Sequence, residues 1–272
     1  MKNKKSGFPI FFGLPGCIFA SDSFGMKKYG LVGFPLSHSF SAEYFSAKFE
    51  KEGIRDCSYQ LFPFREISEL ETFLNENPDI LGLNITIPYK VAALKLVQEV
   101  DSVAAKIGAI NVMKKMNGGS WKGYNTDYYG FLTALEILEP PEFWKGKNAL
   151  ILGTGGSSMA VAEALSALGM KAKKVSRTPG KDELDYEKLT GRMLKQVCLL
   201  VNCTPLGMYP NIRAAPRLPW EELPKGAYAV DLIYNPEKTL FLERSEKQGL
   251  RVQNGLPMLI AQAEKSWEIW NS

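Results

Sequence analysis

The stretch GLNITIPYK, residues 82–90, alternates apolar residues with Asn84 and Thr86 and then stops at a proline and a lysine. A lysine held at the end of a strand is either a group that gives and takes protons or a solvated residue guarding the strand end, and this stretch alone leaves both open. A second stretch, ALILGTGGSSMAVAEAL, is an apolar strand, a glycine-rich turn at Gly153, Gly155 and Gly156, and a helix whose Val161, Ala164, Leu165 and Leu168 share one face. Such a turn, with Thr154 and Ser157 in it, lets backbone approach a pyrophosphate and aims the helix N-terminus at it. Glycine turns also serve plain packing, and Ser158 stands where the third fingerprint glycine would be. The next strand ends KKVSRTPGK. Ser176 occupies the place of the acid that would accept from an NAD ribose, while Arg177, Thr178 and Lys181 offer charge and hydrogen bonds to the 2′-phosphate of NADP. A solvated basic loop is the alternative, and the glycine turn upstream argues against it.

These groups need rigid elements to hold them. Residues 29–34, 57–62 and 80–87 are expected as strands, separated by helices around residues 44–52 and 66–74. The alternation resumes with a strand at residues 148–153, a helix over 156–168, and the strands KKVS and VCLLVN, which implies parallel pairing through crossover helices. A helix over residues 127–138 lies between the two sets, with Pro140 and Pro141 ending it and marking a hinge. At 272 residues with 45% hydrophobic content, the chain has room for two domains with real cores. Lysine and arginine (33) exceed aspartate and glutamate (29) by only 4 and are scattered, which excludes the basic stripe of a nucleic-acid binder. Cys17, Cys57, Cys198 and Cys203 form no C-x-x-C pair, which points to reduced thiols in a cytoplasm, and no His/Cys cluster stands ready for a metal.

The first 25 residues have the layout of a secretory signal, yet Pro9, Gly13, Pro15 and Gly16 interrupt the apolar run, which is too short to span a bilayer. Met26 is the expected natural start, with a signal segment as the alternative.

Nine segments, YGLVGFPLSHSFSAEYF, GLNITIPYK, GAINV, GYNTDYYG, GTGGSS, SRTPGK, NCTPLGM, DLIYNPEKTLFL and NGLPMLIAQA, occur in the order and spacing of the shikimate dehydrogenase family, which this chain resembles from residue 29 to about residue 270. The resemblance implies an α/β fold of two domains: an N-terminal substrate domain of residues 29–126 plus 256–272, and a Rossmann-like NADP-binding domain of residues 127–255, with the cleft between them. Residues 1–28 would be an extension. It implies the NADPH-dependent reduction of 3-dehydroshikimate to shikimate, on the route to aromatic amino acids. It places Ser39, Ser41, Thr86, Asn111, Tyr234 and Gln262 against the substrate, with Lys90 and Asp127 as the catalytic pair. His38, the one histidine, then belongs with Ser37 to a turn, and lysine carries the proton. A dry cleft disfavours a charged amine, and a paired carboxylate favours it and holds it still. By default Asp127 is only a first-turn or capping residue, a role Asn125 or Thr126 could equally fill.

NCTPLGM lies at the carboxyl end of a buried strand, where an open sheet presents groups to a ligand, so Thr204, Pro205 and Met208 are expected on the nicotinamide side, with Leu232 and Gly255 nearby. Otherwise Pro205 and Gly207 merely make a turn. The chain departs from the family's pattern at Phe34, Ala42 and Ser176, where asparagine, proline and asparagine are usual. The first two border Ser39 and Ser41, so quinate remains an alternative substrate, with NAD an alternative cofactor. A folate-type dehydrogenase and a non-catalytic NADP-binding relative are further rivals. The expected partner is a small molecule, with the chain a monomer or homodimer and neither nucleic acid nor membrane involved.

Overall fold

A computed structural model describes residues 26–36 and 39–272. The expectations for residues 1–25 and for Ser37 and His38 lie outside the described residues. Two sheets of six strands each organise the chain. The first contains β1 (Lys27–Val32), β2 (Cys57–Phe62), β3 (Ile80–Ile85), β4 (Glu99–Val100), β5 (Val112–Lys115) and β6 (Trp121–Tyr124), interleaved with α1 (Phe40–Glu52), α2 (Ser68–Glu76) and α3 (Ser102–Ile107). Next come α4 (Thr126–Glu136) and α5 (Pro141–Trp144). The second sheet contains β7 (Asn148–Leu152), β8 (Lys171–Ser176), β9 (Leu184–Asp185), β10 (Val197–Asn202), β11 (Tyr228–Asp231) and β12 (Arg251–Gln253), interleaved with α6 (Gly156–Ala167), α7 (Gly191–Leu194) and α8 (Leu240–Lys247). The final helix is α9 (Leu256–Asn271).

In the first sheet β1 pairs in parallel with β2 and β3, as strand and helix alternation requires. β5 departs from that expectation: it runs antiparallel to β3 and forms a hairpin with β6. The cause is local, since Gly118 and Gly119 take φ of 99° and 89°, the left-handed region that reverses a chain tightly. The second sheet is parallel throughout, in the order β12-β11-β10-β7-β8-β9. Strand order reverses between β7 and β10, which opens a crevice at their carboxyl ends.

The helices before and after the second sheet join the two units. α4 ends at Glu136, earlier than the two prolines, and those prolines instead open α5, with Pro140 as its N-cap and Pro141 in its first turn. α9 returns to the first sheet: the Trp270 indole lies where a Cβ on Gly82 would fall, donates to the Met113 carbonyl at 3.1 Å and stacks on Tyr29 at 4.9 Å. Truncating such an anchor costs about 3–5 kcal/mol. α9 also lies along α4, where a Cβ on Gly130 would come within 2.6 Å of the Met258 carbonyl. Phe131, Ala134 and Leu135 of α4 are buried in the core beneath β7 and β10, so one helix pair spans both sheets. Among the described residues no helix is long and apolar enough to cross a membrane.

Candidate active site

The turn after β3 is pinned before it delivers its lysine. The Tyr89 amide donates to the Thr86 carbonyl at 2.9 Å, the Tyr89 hydroxyl donates to the Phe64 carbonyl at 2.9 Å, and the Lys90 carbonyl accepts from the Ile110 amide at 2.8 Å. Lys90 Nζ then donates to Asp127 Oδ2 at 2.5 Å. Asp127 is free to accept because Asn125 caps α4, its side chain accepting from the Tyr128 amide while donating to the Ala109 carbonyl at 2.9 Å. The second Asp127 oxygen accepts from Asn111 Nδ2 at 2.8 Å. With side-chain exposures of 12% and 8%, the lysine and aspartate form a nearly buried ion pair, and removing one partner from such a pair costs about 3–5 kcal/mol.

This pair lies against the second unit. Lys90 Nζ also reaches Ser157 Oγ at 3.4 Å, and a Cβ on Gly156 would meet Lys90 Cβ and Cδ at 3.6 Å. An amine from the first sheet thus abuts the glycine turn of the second.

Around it, Asn111 is held at both of its polar atoms: its Oδ1 accepts from the Thr126 amide at 2.6 Å, and its Nδ2 donates to Thr126 Oγ1 at 3.0 Å as well as to Asp127. Thr86 leans its methyl over Gly33, into the space that a Cβ there would need. Ser39 is the N-cap residue of α1 and makes no side-chain cap bond, and Ser41 stands in the first turn. Tyr234, from the loop after β11, crosses to this segment and meets the Phe40 ring edge-on at 5.5 Å. Burial pushes its phenol upward, against a hydrogen bond from the Phe40 backbone. Gln262 sits apart from this group in its bonding: it is 9% exposed at the α4–α9 seam, and its amide donates to the Leu259 carbonyl of its own helix at 2.9 Å.

On the other side of the crevice, Gly153 follows β7 with φ of 103°, and a Cβ there would come within 3.0 Å of Thr204 Cγ2. Gly155 caps α6, whose first N–H groups have no helical partner, and Thr154 and Gly155 border the crevice on the solvent side, both exposed. Ser158 fills the place of the third glycine without disturbance, because its buried hydroxyl donates back to the Gly155 carbonyl at 2.6 Å. Ser176, at the end of β8, accepts from the Thr178 amide at 3.2 Å, and Arg177, Thr178 and Lys181 are exposed. Asp185, opposite Ser176 in the strand pairing, accepts from the Glu187 amide at 2.9 Å, so it serves as a cap. Arg177 lies beside Tyr186, whose phenol burial pushes up to about 12 while the guanidinium works against that rise. A glycine cradle, a free helix N-terminus and an exposed arginine without a carboxylate on the strand end fit a dinucleotide bearing a 2′-phosphate.

The Thr204 side of the crevice rests on a buried layer whose residues carried no expected role. Asn202 Oδ1 accepts from the Thr204 amide at 3.0 Å and from Thr204 Oγ1 at 2.6 Å, and its Nδ2 donates to Asp231 Oδ1 at 3.0 Å. Asp231, fully buried, also accepts from the Ile233 amide at 3.0 Å and from Thr239 Oγ1 at 2.6 Å. Burial pushes its carboxyl up to about 6, opposed by the bonds from Thr239, Ile233 and Asn202. An acid ending an apolar strand, followed by a capping threonine, was the available signal. Leu232 donates to the Asn202 carbonyl at 3.0 Å, and a Cβ on Gly255 would fall on the Leu232 carbonyl. Thr204, Leu232 and Gly255 are thereby held together at the crevice, with Pro205 and Met208 exposed beside them.

A groove of about 1060 Å³ lies elsewhere, between α4 and α9, lined by Leu132, Ile137, Leu256, Ile260 and Trp267 and edged by glutamates. None of the predicted site residues lines it, and it lacks the convergent polar groups that the Lys90 crevice has.

Residues 31–113 match the family model described as the shikimate dehydrogenase substrate binding domain. The protein named shikimate dehydrogenase (NADP(+)) of Crocosphaera subtropica is 36% identical over 266 residues, covering 90% of each chain. The chain belongs to the shikimate dehydrogenase family. Among solved structures, shikimate 5-dehydrogenase from Thermus thermophilus, in complex with NADP(H) and shikimate, matches with a TM-score of 0.79 at 34% identity, over 90% of this chain and 93% of that one. The ligand-free 5-ketofructose reductase of a Gluconobacter species also matches, with a TM-score of 0.77 at 27% identity over 91% of this chain and 94% of that one. Family members and this reductase share a fold, so side chains rather than backbone must select the substrate.

Proposed function

We propose that this chain catalyses the reversible, NADPH-dependent reduction of 3-dehydroshikimate to shikimate, a step toward chorismate and the aromatic amino acids. The observation that carries the reading is the Lys90–Asp127 pair seated against the Gly156–Ser157 turn, an arrangement suited to proton transfer beside a bound dinucleotide. NADPH, when bound, supplies the hydride. Lys90 Nζ gives a proton to the ketone oxygen in reduction and takes it from the hydroxyl in oxidation. Asp127 keeps the ammonium aimed, and Asn111 keeps Asp127 aimed. Ser39, Ser41, Thr86, Asn111 and Tyr234 supply neutral donors and acceptors suited to a ring bearing three hydroxyls and a carboxylate. Gln262 joins them on this reading once its amide leaves the Leu259 carbonyl. Gly153, Thr154, Gly155, Gly156 and Ser157 would hold the pyrophosphate, and Ser176, Arg177, Thr178 and Lys181 the 2′-phosphate. Thr204, Pro205, Met208, Leu232 and Gly255 would flank the nicotinamide. The unpaired thiols of Cys57, Cys198 and Cys203 suit a reducing cytoplasm.

A spectrophotometric assay of shikimate and quinate, each with NADP and NAD, tests the proposal. Shikimate with NADP is expected to give the highest kcat/KM of the four pairs. Failure to oxidise shikimate, or a clear preference for quinate or NAD, would overturn it.

A further inference from the structure

Beneath the substrate wall, three side chains meet that none of the site motifs accounts for together. Asn84, 5% exposed at the end of β3, accepts from the Tyr59 hydroxyl at 2.7 Å through Oδ1 and donates to Ser266 Oγ at 3.0 Å through Nδ2. Ser266, fully buried on α9, donates its single proton to the Gln262 carbonyl at 2.7 Å. It can therefore only accept from its other neighbours, Asn84 and the Thr126 hydroxyl, which lies 3.2 Å away. Thr126 in turn holds Asn111, and Asn111 holds Asp127. At the opposite end, Tyr59 stacks on Phe45 of α1 at 4.5 Å, and the Ser41 hydroxyl lies beside its phenol, opposing the burial that pushes that phenol upward.

We propose that Tyr59 and Ser266 are positioning residues that clamp Asn84 from both sides, and so fix the Ser41 end of the substrate site relative to the Asn111–Thr126 end. The proposal rests on the function given above and names what sets the spacing of its substrate groups. The two residues belong to different elements, β2 and α9, and act on the same amide. Neither bonds to Lys90 or to the residues at the cofactor rim. Loss of the Tyr59 oxygen leaves Asn84 Oδ1 without its partner, and loss of the Ser266 oxygen leaves Nδ2 only its long 3.5 Å bond to the Asn111 carbonyl, so in this nearly closed space the amide will turn and the distance between Ser41 and Asn111 will no longer be set.

Steady-state kinetics of Tyr59→Phe, Ser266→Ala and the double variant, varying shikimate and NADP separately, read this out. Each single change is expected to raise the shikimate KM about five- to twentyfold while the NADP KM stays within about twofold. The double variant is expected to lose less than the product of the two single losses, because both act through one amide. Tyr59→Phe retains the stacked ring, so its unchanged melting temperature beside a raised shikimate KM distinguishes positioning from unfolding even where Ser266→Ala folds poorly. Shikimate KM values within about twofold of the parent, a parallel rise in the NADP KM, or simple multiplicative losses would each overturn the clamp while leaving the function standing. A parent chain that does not oxidise shikimate would overturn both.

Discussion

The two walls of the crevice are prepared differently. On the first-sheet wall, Lys90, Asp127 and Asn111 are nearly closed off from solvent and already bonded to one another. On the second-sheet wall, Arg177, Thr178, Lys181 and Met208 project into water, and only the layer beneath them, Asn202, Asp231 and Thr239, is buried. Groups fixed during folding lose few rotamers when a ligand arrives, so the first wall selects by geometry. Exposed arms gain their charge-assisted bonds only on binding, so the second wall acts chiefly through affinity. Damage to the first wall should therefore appear in turnover and damage to the second in cofactor KM.

The sharpest test of that division is Asp127→Asn, which retains the side-chain shape but removes the charge that holds the Lys90 ammonium. We expect kcat to fall about 100-fold, within the range for a lost acid–base arrangement, with the NADP KM nearly unchanged. Parental turnover in that variant would break the comparison. Arg177→Ala should do the reverse, raising the KM for NADP about 10- to 50-fold through loss of a charge-assisted contact and leaving that for NAD unaffected. Equal losses for both cofactors would mean that Arg177 does not read the 2′-phosphate.

Asp231→Asn probes the buried layer under the second wall through stability. Burial raises the native carboxyl from 3.8 to about 6, so the folded chain holds this proton over a range where the unfolded chain has released it. The resulting stabilisation is fully present below about pH 4 and is lost as pH rises through 6, on the order of 2–3 kcal/mol. Urea unfolding at about pH 5 and about pH 7.5 should show the parent losing more stability toward neutral pH than Asp231→Asn does. Identical slopes would show that Asp231 is not held neutral in the native chain.

What the sequence disclosed follows the range of the forces involved. The strand, glycine turn and helix at residues 148–167 were legible because apolar period and glycine backbone freedom are local properties. β1, β2, β3 and β10 were legible for the same reason. The β5–β6 hairpin was not inferred from alternation, although Asn117, Gly118 and Gly119 marked its turn. Lys90 and Asp127 were brought together by resemblance to a family, since nothing local joins residues 37 apart. Ser266 is a small polar residue beside an apolar stripe, and its meaning depends on an asparagine 182 residues earlier. Asp231 is likewise defined by Asn202 and Thr239, partners that only the parallel sheet and the cap of α8 bring within reach.

Lys90, as the group that moves the proton, is the centre of the proposed mechanism. Single-turnover reduction of NADP by Lys90→Ala, at saturating shikimate and followed by absorbance with shikimate binding measured in parallel, tests this most directly. We predict a rate at least about 100-fold below the parent with shikimate affinity changed only a few-fold. A near-parental rate would contradict the mechanism.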